Sequence, residues 1–393
     1  MTNSNSIPNF ETNLVREINL TDINDQQKLN DLVVAKINRK IQYRQTTVQK
    51  VLEQLEHDGK LAKDFIVPIG SKVRNSIMPS TISFSANGSV KMSIKDYEQE
   101  LHFNEHSLIQ IGAKYGVPGS YLKSLNASEW GRELSANILN QHSENIDRER
   151  VLIRTVGETI RGVMSDQYRR LDSIKIVEMF VRAISKQGAQ LCDAHINDTK
   201  LFLEAIIPTP IQIQTPKNGT VFIAFGVRLS NSDFGDGSLQ LRSFILQGAC
   251  LNGMVTESVL KQIHLGGRLP DDLALSQKTY ELDTRTQASL VNDLTNGLMS
   301  TNTIKNRAQL IIDASEKDVD LNVEMKKLVK AGLQKGEVEQ VQKVMMNGSI
   351  NDGVQGAPTL WKLTQGITAV ARDKEATRRR ELEELAGELL IKK

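Results

Sequence analysis

At 393 residues, 39% of them hydrophobic, the chain is longer than one core usually serves, so two or more lobes are expected to fold without staples. A net charge of +2 excludes a protein that coats nucleic acid through bulk positive charge and leaves only local basic patches. Cys192 and Cys250 lie far apart and outside any CxxC spacing, which fits reduced thiols rather than a disulfide framework, and no apolar run approaches the ~20 residues that span a bilayer. The expectation is a soluble, cytoplasmic protein with no membrane partner.

The chain opens with MTNSNSIPNFETN, polar and rich in Asn and Ser, read as a mobile tail over residues 1–20. From Asn30 to His57, Leu32, Val33, Ile37, Ile41, Val48, Leu52 and Leu55 recur at helical spacing with Lys36, Arg39, Lys40 and Arg44 between them. This predicts a basic amphipathic helix, broken near Thr46-Thr47; it is either a docked helix with a solvated face or a basic arm. TISFSANGSVKMSI places Asn87-Gly88 between β-prone runs, a strong hairpin signal, and a small sheet begins there. NEHSLIQIGAKYGVPGSYLKSLNASEWGRELSANILNQH then predicts two or three short helices, with Asn104 as N-cap and Gly116 as C-cap. His102 and His106 are four apart, but a cap at Asn104 leaves His102 outside the helix, so no metal pair forms.

The most informative stretch is VLIRTVGETIRGVMSDQYRRLDSIKIVEMFVRAISKQG, Val151 to Gly188. Gly157-Glu158 has the chemistry of a two-residue type II′ turn, because glycine supplies the positive φ. That turn pairs Val156 with Thr159, Thr155 with Ile160, Arg154 with Arg161, Ile153 with Gly162, Leu152 with Val163 and Val151 with Met164. Val151, Ile153, Ile160 and Met164 then share an apolar face, and Arg154 and Arg161 stand opposed on the other. Opposed like charges cost stability unless water screens them or an anion sits between the guanidinium groups. Asp172 or Ser173 caps the following helix, Ile174, Val177, Phe180, Val181 and Ile184 form its buried stripe, and Gly188 ends it, so hairpin and helix are expected to share one core.

AQLCDAHI, Asn197-Asp198 and TKLFLEAII predict a second hairpin. In TVFIAFGVRL, Val221, Ile223, Phe225, Val227 and Leu229 alternate as one committed core face. The loop SNSDFGDG leads to SLQLRSFILQGACLNGMV, which starts as a strand and can turn helical. From Leu282 the periodicity is helical, and the Gly- and Asn-rich NGSINDGVQGAPT separates a last unit beginning near Leu360-Trp361. The class is therefore α+β: a mainly antiparallel sheet with a hairpin-helix core, flanked by N-terminal helices and a C-terminal helical region. The expected divisions are the tail, an N-terminal helical region with a small hairpin over residues 21–147, a central α+β core over 148–269 and the helical region 270–393.

The segments RTVGETIRGVMSDQYRRLDS, SNSDFGDGSLQLRSFILQGACLNGM and LWKLTQGITAVARD, with GAKYGVPGSYLKSL before them, resemble the broad family of phage- and plasmid-encoded proteins called domain of unknown function 932, over roughly residues 100–375. The resemblance implies a cytosolic protein of a bacterium or its mobile elements and no agreed activity. More distantly, a hairpin, a helix and antiparallel strands are similar in topology to the single-strand annealing proteins common in phage recombination systems, an analogy that does not by itself establish function.

No GxxxxGK[ST], GxSxG or HExxH motif is present, so neither a catalytic residue nor a cofactor is assigned. Asp233 and Asp236 in SNSDFGDG could hold a divalent cation if partners came from elsewhere, though Asn, Ser, Asp and Gly are also what a tight connection requires. Cys250 has no histidine fixed beside it by sequence. The nucleic-acid reading rests on Arg154, Arg161, Tyr168, Arg169 and Arg170: arginine forks bind phosphates, and a tyrosine ring stacks on an unpaired base. Between Arg148 and Lys186, nine Lys or Arg face five Asp or Glu, an excess of four. Equally open is a purely structural role, with these arginines paired to Glu158, Asp166 and Asp172 and Tyr168 packed beneath them. Three functions follow: a homo-oligomer that binds and anneals single-stranded DNA, an interaction protein docking a partner through its C-terminal helices, or a metal-dependent enzyme using the Asp233/Asp236 loop. On the first, Arg154→Ala or Arg161→Ala weakens binding and leaves the fold intact.

Overall fold

The computed structural model describes residues 23–73, 76–247, 252–262, 264, 276–348 and 354–391. The expected tail over residues 1–20 lies outside the described residues, as does Cys250. Helix α1 (Ile23–Leu61) is 39 residues long and runs unbroken through Thr46-Thr47, where a break was expected. Val48 and Val51 are buried just beyond that pair, and their packing outweighs the small helix penalty of threonine.

The first sheet is built from both sides of the expected boundary at residue 148. β1 (Ala62–Pro68), the short pair β2 (Lys72–Val73) and β3 (Ser76–Ile77), the hairpin β4 (Ile82–Asn87) and β5 (Ser89–Ile94), and β6 (Leu101–Phe103) come first. Gly88 turns the β4–β5 hairpin at φ 74°. Helices α2 (Glu105–Lys114), α3 (Gly119–Leu125) and α4 (Glu129–Asn145) follow; Asn104 and Ser128 cap α2 and α4 by accepting from Ser107 N and Gly131 N. β7 (Arg150–Val156) and β8 (Thr159–Ser165) then complete six strands in the order β1-β7-β8-β6-β5-β4, antiparallel except at β6–β8.

Gly157 turns the β7–β8 hairpin at φ 59°, and Val156–Thr159 and Thr155–Ile160 pair as the turn dictates. Beyond them Arg161 is an extra residue: Arg154 faces Gly162, Ile153 faces Val163 and Leu152 faces Met164. The expected opposition of Arg154 and Arg161 is therefore replaced by a β-bulge. Every later side chain changes face. Val163 joins Val151, Ile153 and Ile160 in one core, while Met164 packs with Leu152 and Tyr168 on the other side. The residue after the bulge is glycine because a Cβ there would stand 3.1 Å from both Cα and O of Phe234.

After Asp172, α5 (Ser173–Lys186) buries Ile176, Val177, Phe180, Ala183 and Ile184, and Gly188 follows at φ 68°. The expected core shared with the hairpin is not found; α5 packs on the second sheet instead, with Phe180 and Ile184 in one cluster with Leu203, Leu229 and Leu241. That sheet comprises β9 (Gln190–Ile196), β10 (Leu201–Ile206), β11 (Ile211–Thr215), β12 (Gly219–Asn231), β13 (Leu239–Gln247) and β14 (Asn252–Gln262) in the order β14-β13-β12-β10-β9, with β11 on β12. The segment read as able to turn helical is a strand again from Asn252, as β14. β12 is buried on both faces, not one: Val221, Ile223 and Phe225 meet C-terminal helices, while Phe222 and Ala224 meet Val33, Ile37 and Ile41 of α1.

The C-terminal helices are α6 (Gln277–Leu298), α7 (Thr301–Glu316), α8 (Leu321–Lys330), α9 (Lys335–Asn347), α10 (Leu360–Ala371) and α11 (Ala376–Ile391). They are built into the fold. Trp361, Ile367, Leu382 and Ala386 share a core with Ile223 and Ile245, and a Cβ at Gly387 would collide with the carbonyl of Val255. The fold is α+β with two mainly antiparallel sheets, and among the described residues no helix is long and apolar enough to cross a membrane.

Candidate functional site

The two sheets meet at the hairpin, the start of α5 and the turn after β12, and a cleft of about 580 Å³ opens there. Its walls carry Arg154, Arg161, Arg170, Lys175 and Lys200 together with Asp58, Asp64, Asp172 and Asp233. Bringing five cations and four carboxylates into one cleft takes segments more than 170 residues apart, because Asp58 ends α1 and Asp233 follows β12.

Arg154 is the centre. β1–β7 pairing sets Asp64 directly across from it, and Arg154 Nε donates to Asp64 Oδ1 at 2.8 Å. Nη2 donates to Asp172 Oδ1 at 2.8 Å and Nη1 to the carbonyl of Asp233 at 3.2 Å. The residue is 6% exposed. Burial opposes its charge, but Asp64, Asp233 and Asp172 outweigh that and hold its pKa above the ordinary arginine value. The guanidinium ties β1, the α5 N-terminus and the 232–235 turn together. It is wedged among carboxylates, not presented to a phosphate.

The other expected site residues are placed as follows. Arg161, freed from the ladder by the bulge, donates through Nη1 to Asp58 Oδ2 at 2.6 Å and lies 5.8 Å from the Phe234 ring centroid. Arg170 pairs with Asp64 Oδ2 at 3.3 Å and stacks 4.4 Å from the Tyr280 ring centroid. Arg169 faces away from the cleft group and forks onto both oxygens of Asp283 on α6, which raises its pKa. Tyr168 is not a free stacking platform: it is buried, stacked on His264 at 4.9 Å, donates to the carbonyl of Ser232 and accepts from Gly235 N. Burial, aided by Asp233, pushes its phenol pKa up. Arg154, Arg161 and Arg170 thus share the cleft, whereas Tyr168 and Arg169 brace its floor and side.

Beneath Arg154 lies a fully hydrogen-bonded carboxylate. Asp233 Oδ1 accepts from Ser173 Oγ at 2.8 Å and from Asn231 Nδ2 at 3.0 Å, and Oδ2 accepts from Ser173 N at 3.3 Å. Burial pushes its pKa up to about 6 despite Arg154 and these donors. Asn231 also donates to the carbonyl of Leu171, and its Oδ1 faces His264 Nε2 at 3.1 Å. Burial lowers the His264 pKa.

Asp233 and Asp236 are held by different partners. Asp236 accepts from Thr199 Oγ1 and pairs with Lys200; burial acts to raise its pKa, but those two partners hold it below the ordinary value. Among the described residues no group of three or more His, Cys, Asp or Glu is arranged to hold a metal ion. His102 meets Ser89 Oγ and His106 meets the carbonyl of Phe234. Cys192 is buried, and burial pushes its thiol up to about 12, well away from nucleophilic use.

Asp58, Asp64, Asn231, His264 and Lys200 belong to the site without having been singled out in the sequence. No local motif marks them: Asp58, Asp64, His264 and Lys200 meet their partners across 30 or more residues, and Asn231, besides its contact with Asp233, reaches Leu171, Ser173 and His264. Compared with family models, with curated proteins and with solved structures, the chain gives no match.

Proposed function

We propose that the protein is a nucleic-acid-binding protein of a phage or mobile element, which holds single-stranded DNA along the cleft between the two sheets and promotes annealing as a homo-oligomer. The observation that carries this is the outer wall of the cleft. Lys175 and Lys200 have side chains 56% and 35% exposed, and Arg161 uses only Nη1 on Asp58 among the described residues, beside the ring of Phe234. Cations and an aromatic ring lining one cleft are the usual elements of sequence-tolerant single-strand binding, and about 580 Å³ lies within the range of ligand sites. The phosphate contacts are assigned to Lys175, Lys200 and Arg161, and not to Arg154, whose three nitrogens are already committed.

Fluorescence anisotropy with labelled single- and double-stranded oligonucleotides across a salt series tests this. Tight single-strand binding with a steep negative slope in log salt is expected, and the doubly substituted Lys175→Ala, Lys200→Ala protein is expected to lose roughly one unit of slope per lysine. Absence of binding by the unaltered protein at low salt rejects the reading.

A further inference from the structure

A second pocket of about 220 Å³ adjoins the cleft and shares Lys200 and Asn231 with it. Among the described residues its wall carries Lys200, Arg228, Arg242 and Arg380 against one carboxylate, Glu384. Part of this charge is compensated: Lys200 pairs with Asp236 at 3.2 Å, Arg242 pairs with Glu384, and Arg228 Nη2 reaches both Glu204 at 2.8 Å and Glu383 at 2.6 Å. Donors are left over. Arg228 is 5% exposed, yet among the described residues its Nε and Nη1 have no hydrogen-bond acceptor, and neither do Nε of Arg242 and Nε of Arg380.

Arg380 is the telling residue. Among the described residues it makes neither a hydrogen bond nor an ion pair, and its guanidinium lies 3.9 Å from the centroid of the Phe202 ring. Stacking fixes the plane of the fork without using its donors. Burial holds its pKa below the ordinary arginine value, and Arg228 and Arg379 push the same way against Glu204 and Asp193. A desolvated cation beside other cations, with donors unfilled, is stabilised by an incoming anion.

We propose that this pocket is an anion site for a phosphate-class oxyanion, with Arg380 and Arg242 reaching the ligand and Arg228 the fixed charge behind them. Its size admits several water-sized groups, enough for phosphate or pyrophosphate, at roughly 30 Å³ for each water. The pocket stands apart from the nucleic-acid reading: the phosphate is either that of a strand lying in the adjoining cleft or that of a free phosphorylated molecule.

The test is titration calorimetry of the full chain with inorganic phosphate and with pyrophosphate, against chloride at matched ionic strength. Saturable pyrophosphate binding is expected, weakened about tenfold or more in Arg380→Ala and in Arg242→Ala while the circular dichroism spectrum is unchanged. If Arg380→Ala does not fold, Arg380→Lys keeps the charge and loses the fork, and weaker binding is again expected. No binding by the unaltered protein, or equal binding by all variants, overturns the proposal. Displacement of pyrophosphate by an oligonucleotide upholds the pocket and names the strand as the phosphate source. Pyrophosphate binding with no oligonucleotide binding upholds it as a site for a free ligand and removes the nucleic-acid reading alone.

Discussion

Arg154 and Arg228 are two buried arginines on neighbouring sheets, each flanked by carboxylates, and they differ in what they leave undone. Arg154 places all three nitrogens on acceptors, from Asp64, Asp172 and the carbonyl of Asp233. Arg228 concentrates its pairing on Nη2, which meets both Glu204 and Glu383, and among the described residues Nε and Nη1 find no acceptor. The first arrangement is a closed lock. The second holds a charge in place and keeps donors in reserve: Arg228 backs an anion pocket, whereas Arg154 braces the cleft and leaves its phosphate contacts to Lys175, Lys200 and Arg161.

The comparison is broken most directly by removing each charge. Arg228→Met leaves Glu204, 8% exposed, without its ion pair and Glu383, 9% exposed, with only Arg379 at 3.7 Å, so a loss near the upper end of about 3–5 kcal/mol is expected. Arg154→Met leaves Asp172, 50% exposed, without its ion pair and Asp64, 20% exposed, with Arg170 alone, and a loss near the lower end of about 3–5 kcal/mol follows. Urea midpoints at constant slope measure both. The reverse order would mean that Arg154 is the more deeply committed residue. In either case Arg154→Ala is expected to weaken the fold, which corrects the sequence-based expectation of an intact one.

A smaller effect sharpens the picture of the lock. Burial raises the Asp233 pKa from 3.8 to about 6, so the folded state holds that proton more tightly than the unfolded state. The stability this provides is complete below about pH 4 and is lost as pH rises through about 6. Asp233→Asn does not titrate. Relative to the unaltered protein it should gain on the order of 2 kcal/mol between pH 4 and pH 7, read from thermal or urea midpoints at each pH. Parallel profiles for the two proteins would show that Asp233 is ionised throughout.

The smallest effect belongs to Arg169. Its pair with Asp283 is about one quarter exposed on each side, and a double-mutant cycle is expected to return about 1 kcal/mol or less. A much larger coupling would place Arg169 with the buried arginines and not with the surface.

What the sequence made legible was local. Gly157 and Gly88 signalled their turns, Asn104 its cap, and the stripe through Val177, Phe180 and Ile184 its helix, because each rests on the conformational limits of a few adjacent residues. The bulge at Arg161 was not legible. It exists because Phe234, more than 70 residues later, crosses over Gly162, and because Asp58, on α1, receives the displaced guanidinium. Alternation alone gives an unbroken ladder, and so put Met164 on the wrong face. The same limit applies to the site. Arg154, Arg161 and Arg170 were identifiable as a cluster of charge, but the carboxylates that occupy them, Asp64 and Asp58, arrive through strand pairing and helix packing that no short spacing encodes.

Helix α1 has a consequence for how the chain is made. Val33, Ile37 and Ile41 are covered by Phe222, Phe244 and Val255, which are synthesised about 200 residues later. At roughly 5–20 residues per second, the apolar stripe of α1 waits on the order of 10–40 s for its partners. During that interval the nascent chain carries an uncovered amphipathic helix, so safe production depends on how quickly β12 to β14 follow and on whatever shields the stripe meanwhile.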